Sequence, residues 1–176
     1  MKCVIGIDPS LTSFALARSV LRKREWFTDV HVFKSKSPGK KAPVEARMRR
    51  IDDLVLNALK VIQEIRPKVI VIEGYAYGAN TAGVYLGELG GILRKCLLPM
   101  TDHLVEVAPT TLKKFVTGKG NANKTQMVST IASKYNLVLK TDDEADAYGL
   151  MEMAKVLAGF EEGTKQEKEV LKKVGG

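Results

Sequence analysis

Cysteine is scarce in this sequence. Cys3 and Cys96 are the only two, Cys3 sits inside an apolar run, and neither has the spacing of a metal motif. A disulfide framework and a zinc site are therefore not expected, and a reducing cytoplasm suits the chain. Long apolar runs are missing as well. None reaches the roughly 18 residues that suggest a membrane span, and the N-terminus enters Val4-Ile-Gly-Ile-Asp8 without a secretion-type apolar stretch. Secretion and membrane insertion are not expected, and no internal repeat is found. Acids are the minority charge: 20 Asp and Glu stand against 28 Lys and Arg, a net charge of +8. With a pI near 9.5, the expected partner is a polyanion.

At 176 residues the chain is long enough for one compact α/β domain and too short for two of full size. Hydrophobic residues make up 45% and charged residues 27%, ordinary globular composition rather than that of a disordered chain. The positive charge is concentrated. Residues 34–50 hold seven basic residues (34, 36, 40, 41, 47, 49 and 50) against the single acid Glu45, and residues 109–124 hold Lys113, Lys114, Lys119 and Lys124 with no acid. Two such stretches read either as a basic footprint or as solvated surface.

Lys2 to Asp8 reads as a buried strand stopped by Pro9, which has no N–H for a ladder. Phe14–Val20 and Phe27–Phe33 continue an antiparallel meander across the polar Leu21–Trp26 region. After a Pro, Gly and Lys loop over Ser35–Lys41, the apolar positions Val44, Met48, Ile51, Val55, Ala58, Ile62 and Ile65 alternate spacings of four and three, which predicts an amphipathic helix. Arg66-Pro67 ends it, and Lys68–Glu73 is a β-branched strand. A Gly, Asn and Tyr loop over Gly74–Thr81 leads to a helix from Ala82 to Leu98, in which Gly83, Gly87 and Gly90 share a stripe. Each glycine costs a helix about 1 kcal/mol, so the stripe implies a close neighbour, either the sheet or a second protomer. A strand over His103–Val107 and helices from Pro109, Lys124 and Asp142 complete the domain. Residues 1–160 are expected to form it, with residues 161–176 a charged, weakly helical tail that frays. The order is mixed α/β: three antiparallel strands, then parallel strands joined by crossover helices.

Two of the strands end in a carboxylate, Asp8 and Glu73, at the sheet edge where open α/β folds place ligands. Acids inside apolar runs ionise at a cost unless a cation meets them. Asp142, Asp143, Glu144 and Asp146 open the last helix, with Asp143 and Asp146 three apart and so on one face. If that helix start meets the strand ends, the carboxylates of Asp8, Glu73, Asp143 and Asp146 converge. Oxygen donors without His or Cys point to magnesium, with manganese as its substitute, rather than zinc. Such a cluster suits two-metal phosphodiester hydrolysis, with ions about 4 Å apart and water as nucleophile. The competing reading makes Asp8 a turn cap, Glu73 an acceptor of loop amides and the remaining acids ordinary helix-start residues.

These residues carry a family resemblance. Ile5-Gly-Ile-Asp-Pro-Ser10 resembles the first strand of the RuvC-type Holliday junction resolvases, Val69-Ile-Val-Ile-Glu73 resembles their second catalytic strand, and Asp143-Glu-Ala-Asp146-Ala is similar to the D-x-x-D-A run that opens their final helix. The likeness continues through Val107-Ala-Pro109, the Lys113 helix and Asn121-Ala-Asn-Lys124-Thr-Gln126, in order over residues 1–160. It implies a ribonuclease H-like fold, a mixed sheet of three antiparallel then parallel strands flanked by helices. It implies that Asp8, Glu73, Asp143 and Asp146 are catalytic and bind two magnesium ions, and that Lys113 and Lys124 contact DNA, with Lys114 and Lys119 beside them. It further implies a two-fold homodimer acting on four-way junctions by paired nicks; no helicase partner is identified. The chain departs from the pattern at Gly74-Tyr-Ala-Tyr-Gly78, where Tyr75 or Tyr77 either takes the place of an aromatic that stacks on opened bases, a contact worth roughly 1–3 kcal/mol, or simply covers the sheet edge. Glu144 and Asp142 also depart from it: they either retune the metal site or, for Asp142, cap the helix. The looser match resembles phage-type members.

Other readings stay open. One keeps the fold and metals but acts on flap or branched DNA, or on RNA. Another is a catalytically silent junction-binding protein. A third takes Gly6-Ile-Asp-Pro-Ser10 and Thr12-Ser13 as the phosphate loop of an actin-like kinase, a class that needs two such domains.

Overall fold

The computed structural model describes residues 2–39, 41–63, 65–74 and 81–174. Its strands are β1 (Cys3–Asp8), β2 (Ser13–Arg22), β3 (Glu25–Lys34), β4 (Val69–Glu73) and β5 (His103–Val107). Its helices are α1 (Val44–Ile62), α2 (Thr81–Leu97), α3 (Pro109–Thr117), α4 (Lys124–Tyr135), α5 (Asp142–Leu157) and α6 (Lys165–Leu171). The strands form one sheet in the order β3-β2-β1-β4-β5. The first three pair antiparallel, while β4 and β5 add in parallel beside β1. This is the mixed sheet that the order of elements implied. No helix among the described residues is long and apolar enough to cross a membrane.

Both faces of the sheet are covered, which is why β1 and β4 read as unbroken apolar runs. Alternation sends Cys3, Ile5, Ile7, Ile70 and Ile72 to one face, where α1 packs with Ile51, Leu54, Ala58 and Ile62 and α2 with Leu89, Leu93 and Leu97. Val4, Val69 and Val71 turn to the other face, onto α5 and behind it α3, α4 and α6. Sandwiched in this way, α5 is buried almost without interruption from Ala145 to Lys155, so it lacks a polar outer face.

Several expectations are corrected. The hairpin strands extend into the polar Leu21–Trp26 region: Leu21 pairs with Trp26 and Arg22 with Glu25. Only Lys23 and Arg24 remain as a turn, at φ 49° and 73°. Positive φ at both positions is the requirement of a type I′ hairpin loop; the usual Asn or Gly is absent, which hid the turn. Of the glycine stripe on α2, Gly90 is buried. The leucine seam of α2 packs on the sheet. Finally, residues 165–171 of the C-terminal segment form a helix that packs on the domain. Thr164 and Glu167 form a reciprocal capping box that starts α6, Val170 and Leu171 enter the core, and Lys134 holds Glu167 at 2.6 Å.

Candidate active site

β1 and β4 run side by side in parallel, with Gly6 opposite Val71 and Ile7 opposite Ile72. Their last residues, Asp8 and Glu73, therefore finish together at one end of the sheet. Both share the alternation of Val4, Val69 and Val71, and so face the layer that α5 occupies. The approach of α5 is set by Gly6. A Cβ there would lie 2.2 Å from the Met151 nitrogen and 2.3 Å from the Ala147 oxygen, so helix backbone rests directly on strand backbone. Held at that distance, the first turns of α5 bring Asp143 and Asp146 within electrostatic reach of Asp8.

Asp8 is only 8% exposed. Burial, then the charges of Glu73, Asp146 and Asp143, push its carboxyl up from 3.8 to about 9, so that it holds a proton and donates it to Glu73. Burial and Asp146 raise Glu73 to about 7, against the downward pull of its hydrogen bond with Asp8 and of Lys113. Burial and Asp142 raise Asp146 to about 6, again opposed by Lys113. One oxygen of Asp146, Oδ1, is buried without a hydrogen-bond partner. An orphaned carboxylate oxygen among acids that cannot all ionise is an arrangement that a bound cation relieves. The donors are carboxylate oxygens, which fits a hard divalent ion. Among the described residues no three acidic, His or Cys side chains stand close enough together to hold a metal ion as placed.

The two departures from the family pattern in this helix start have local explanations. Thr141, not Asp142, is the N-cap of α5, accepting from the Glu144 amide at 3.2 Å. Glu144 accepts in turn from the Lys140 amide at 2.7 Å, so it ties down the helix start. Asp142 forms an ion pair with Lys124, which bridges the starts of α4 and α5.

Lys113, on α3, stands near enough to lower both Glu73 and Asp146. Lys124 is the first residue of α4, placed there by a capping box between Asn123 and Gln126; its charge acts on Asp146. Lys114 and Lys119 are exposed on the surface beyond them. Tyr75 and Tyr77 lie outside the described residues.

Three residues were missed in the sequence: Arg94, Glu106 and Gly6. Arg94 of α2 donates from Nε to Glu106 at 2.7 Å and from Nη2 to the Glu73 carbonyl at 3.5 Å. Glu106, on β5, lies so close to Gly74 that a Cβ there would stand 2.8 Å from its carboxylate. Together they brace the end of β4 from behind. The available signal was Glu106 itself, an acid interrupting the apolar residues of a strand. The signal for Gly6 was a glycine inside a strand, which marks a close backbone approach.

The chain matches the family model described as crossover junction endodeoxyribonuclease RuvC over residues 4–152, a span that contains all four acids. It is 31% identical over 153 residues to the crossover junction endodeoxyribonuclease RuvC of Rickettsia prowazekii, covering 84% of this chain and 92% of that one. The corresponding protein of Caldicellulosiruptor saccharolyticus is 28% identical over 149 residues, covering 82% and 86%. In fold, the chain is similar to Thermus thermophilus RuvC solved in complex with a Holliday junction substrate, with a TM-score of 0.71 at 20% identity over 91% of this chain and 98% of that one. An actin-like kinase reading is thereby displaced. The chain belongs to the RuvC family of crossover junction endodeoxyribonucleases.

Proposed function

We propose that this protein is a magnesium-dependent endonuclease that resolves four-way DNA junctions by paired nicks, with manganese able to substitute. The observation that carries the reading is that Glu73, Asp143 and Asp146 lie within electrostatic reach of Asp8 at one sheet end, where Asp146 keeps a buried oxygen without a partner, on a RuvC-family chain. These four acids are the proposed metal ligands. Bound there, divalent ions supply the charge that lets the carboxylates ionise together and the Lewis acidity that phosphodiester hydrolysis needs.

The chain's own residues do the positioning. Asp8 and Glu73 sit on strand ends and Asp143 and Asp146 on a packed helix, rigid supports that keep catalytic geometry tight. Lys113 favours the ionised forms of Glu73 and Asp146. Lys124, exposed at the start of α4, meets the phosphate backbone, flanked by Lys114 and Lys119, and Tyr75 or Tyr77 stacks on the opened bases. Two protomers related by a two-fold axis put two sites on opposing strands.

The test is magnesium-dependent cleavage of a mobile four-way junction beside duplex, flap, Y-shaped and RNA–DNA controls, with Asp8→Asn as the blank. Paired symmetric nicks in the junction, lost in the variant, are expected. Preferential cleavage of flaps or RNA overturns the substrate, and binding without cleavage overturns the catalytic assignment.

A further inference from the structure

The basic stretch over residues 34–50 takes no part in the site described above, yet the fold gives it a definite shape. Between the end of β3 and the exposed face of α1 lies an open groove of about 850 Å³. Lys34, Lys36, Arg49, Arg50 and Lys60 line it, against two acids, Glu45 and Asp53. Among the described residues, no ion pair joins Lys34, Lys36, Arg49 or Lys60 to a carboxylate. These four side chains are exposed, whereas Arg47, next to them on α1, is taken up by Glu88 at 3.4 Å.

The groove is tied to the catalytic end of the sheet. Lys34 pairs with Ser13, two rungs beyond Ala15, which pairs with Asp8. Arg50 donates to Ser35 Oγ at 2.6 Å and also to the carbonyl of Leu11, in the turn that follows Asp8. The Ser35 amide donates to the Thr12 carbonyl at 3.2 Å. The groove's upper end is thus fixed to the β1–β2 turn, on the opposite face of the sheet from α5. From there it follows α1 to Lys60. Between Arg49 and Lys60 the helix rises roughly 17 Å, about the length of five nucleotides of one strand at 3.4 Å each. Cations spread over that length, Lys34, Lys36, Arg49 and Lys60, outnumber the acids Glu45 and Asp53 and suit a polyanion backbone better than a small anion.

We propose that this groove seats the phosphate backbone of a duplex arm of the junction where it leaves the active site, a contact separate from Lys113 and Lys124. The assignment rests on the junction reading above, and names a surface of the DNA footprint that the acid cluster does not reach.

The experiment measures equilibrium binding of the full-length protein to a synthetic four-way junction and to a plain duplex, in calcium, across a series of salt concentrations. The variants are Lys36→Gln, Arg49→Gln and the two combined; all these positions are exposed, and thermal melts check that each variant is folded. Arg22→Gln, at the far end of β2 beside the hairpin turn, controls for loss of one positive charge. Each groove variant is expected to bind several-fold more weakly and to lower the slope of log affinity against log salt by about 1, and the combined variant by about 2, while Arg22→Gln leaves the slope unchanged. Slopes equal to that of Arg22→Gln overturn the groove. If wild type does not prefer the junction to duplex, the junction reading fails instead, and the slopes on duplex still decide whether the groove holds a phosphate backbone.

Discussion

Met151 rests against Gly6 with no room for a side chain between them: a Cβ on Gly6 would stand 2.2 Å from the Met151 amide nitrogen. This contact sets the depth of α5, and through it the distance of Asp143 and Asp146 from Asp8. Gly6→Ala forces helix and strand apart, and rigid backbone on both sides leaves no cheap adjustment. The expected outcome is a loss of about 2–4 kcal/mol of stability and of most metal-dependent cleavage. Thermal melts and junction cleavage check it; a variant that melts and cleaves like wild type would place α5 elsewhere.

Asp8, Glu73 and Asp146 all have folded pKa values above the ordinary carboxylate range, at about 9, 7 and 6. The unfolded chain releases these protons at lower pH than the folded one. Their contribution to stability is therefore complete below about pH 4 and is lost as pH rises through those three values. Metal-free protein should melt at falling temperature from about pH 5 to 9, and magnesium should restore stability over that window. Asp8→Asn removes the largest contributor, so it should flatten the decline and exceed wild type by about 1–3 kcal/mol near pH 8 without metal, while abolishing cleavage. Melting curves with and without magnesium decide it; an equal decline in the variant would remove Asp8 from the cluster.

Lys113 lowers both Glu73 and Asp146. Without it these acids hold their protons to higher pH and compete less well for metal. Lys113→Ala is expected to move the rising limb of the cleavage profile to higher pH and to slow cleavage near pH 7 by about threefold to tenfold, with Lys113→Arg restoring most of it. A uniform loss at every pH would make Lys113 a DNA contact alone.

Lys124 is paired with Asp142 in the protein without DNA, and a phosphate must compete with that carboxylate. Lys124→Ala is expected to lower the salt-dependence slope of junction binding by about 1. Asp142→Asn, which leaves Lys124 available and removes a negative charge, should tighten binding a few-fold. Salt titrations of both variants check the pair, and an unchanged slope for Lys124→Ala would put it off the DNA path.

Local chemistry carried much of this protein in its sequence. The order of strands and helices, the period-matched faces of α1, the Asn123–Gln126 cap that places Lys124, and acids ending two apolar strands were all legible, because each depends on residues a few positions apart. The meeting of those acids was not. It depends on β1 and β4 pairing in parallel across more than sixty residues, and on a glycine thin enough to admit the backbone of a helix that starts still farther along the chain. The brace of Arg94 and Glu106 on the Glu73 strand, the docking of α6, and the groove along α1 likewise join segments that have no common pattern in one dimension. A sequence records propensity and spacing; which carboxylates share one field, and which lysines share one groove, are set by long-range packing, and only the tertiary structure decided them.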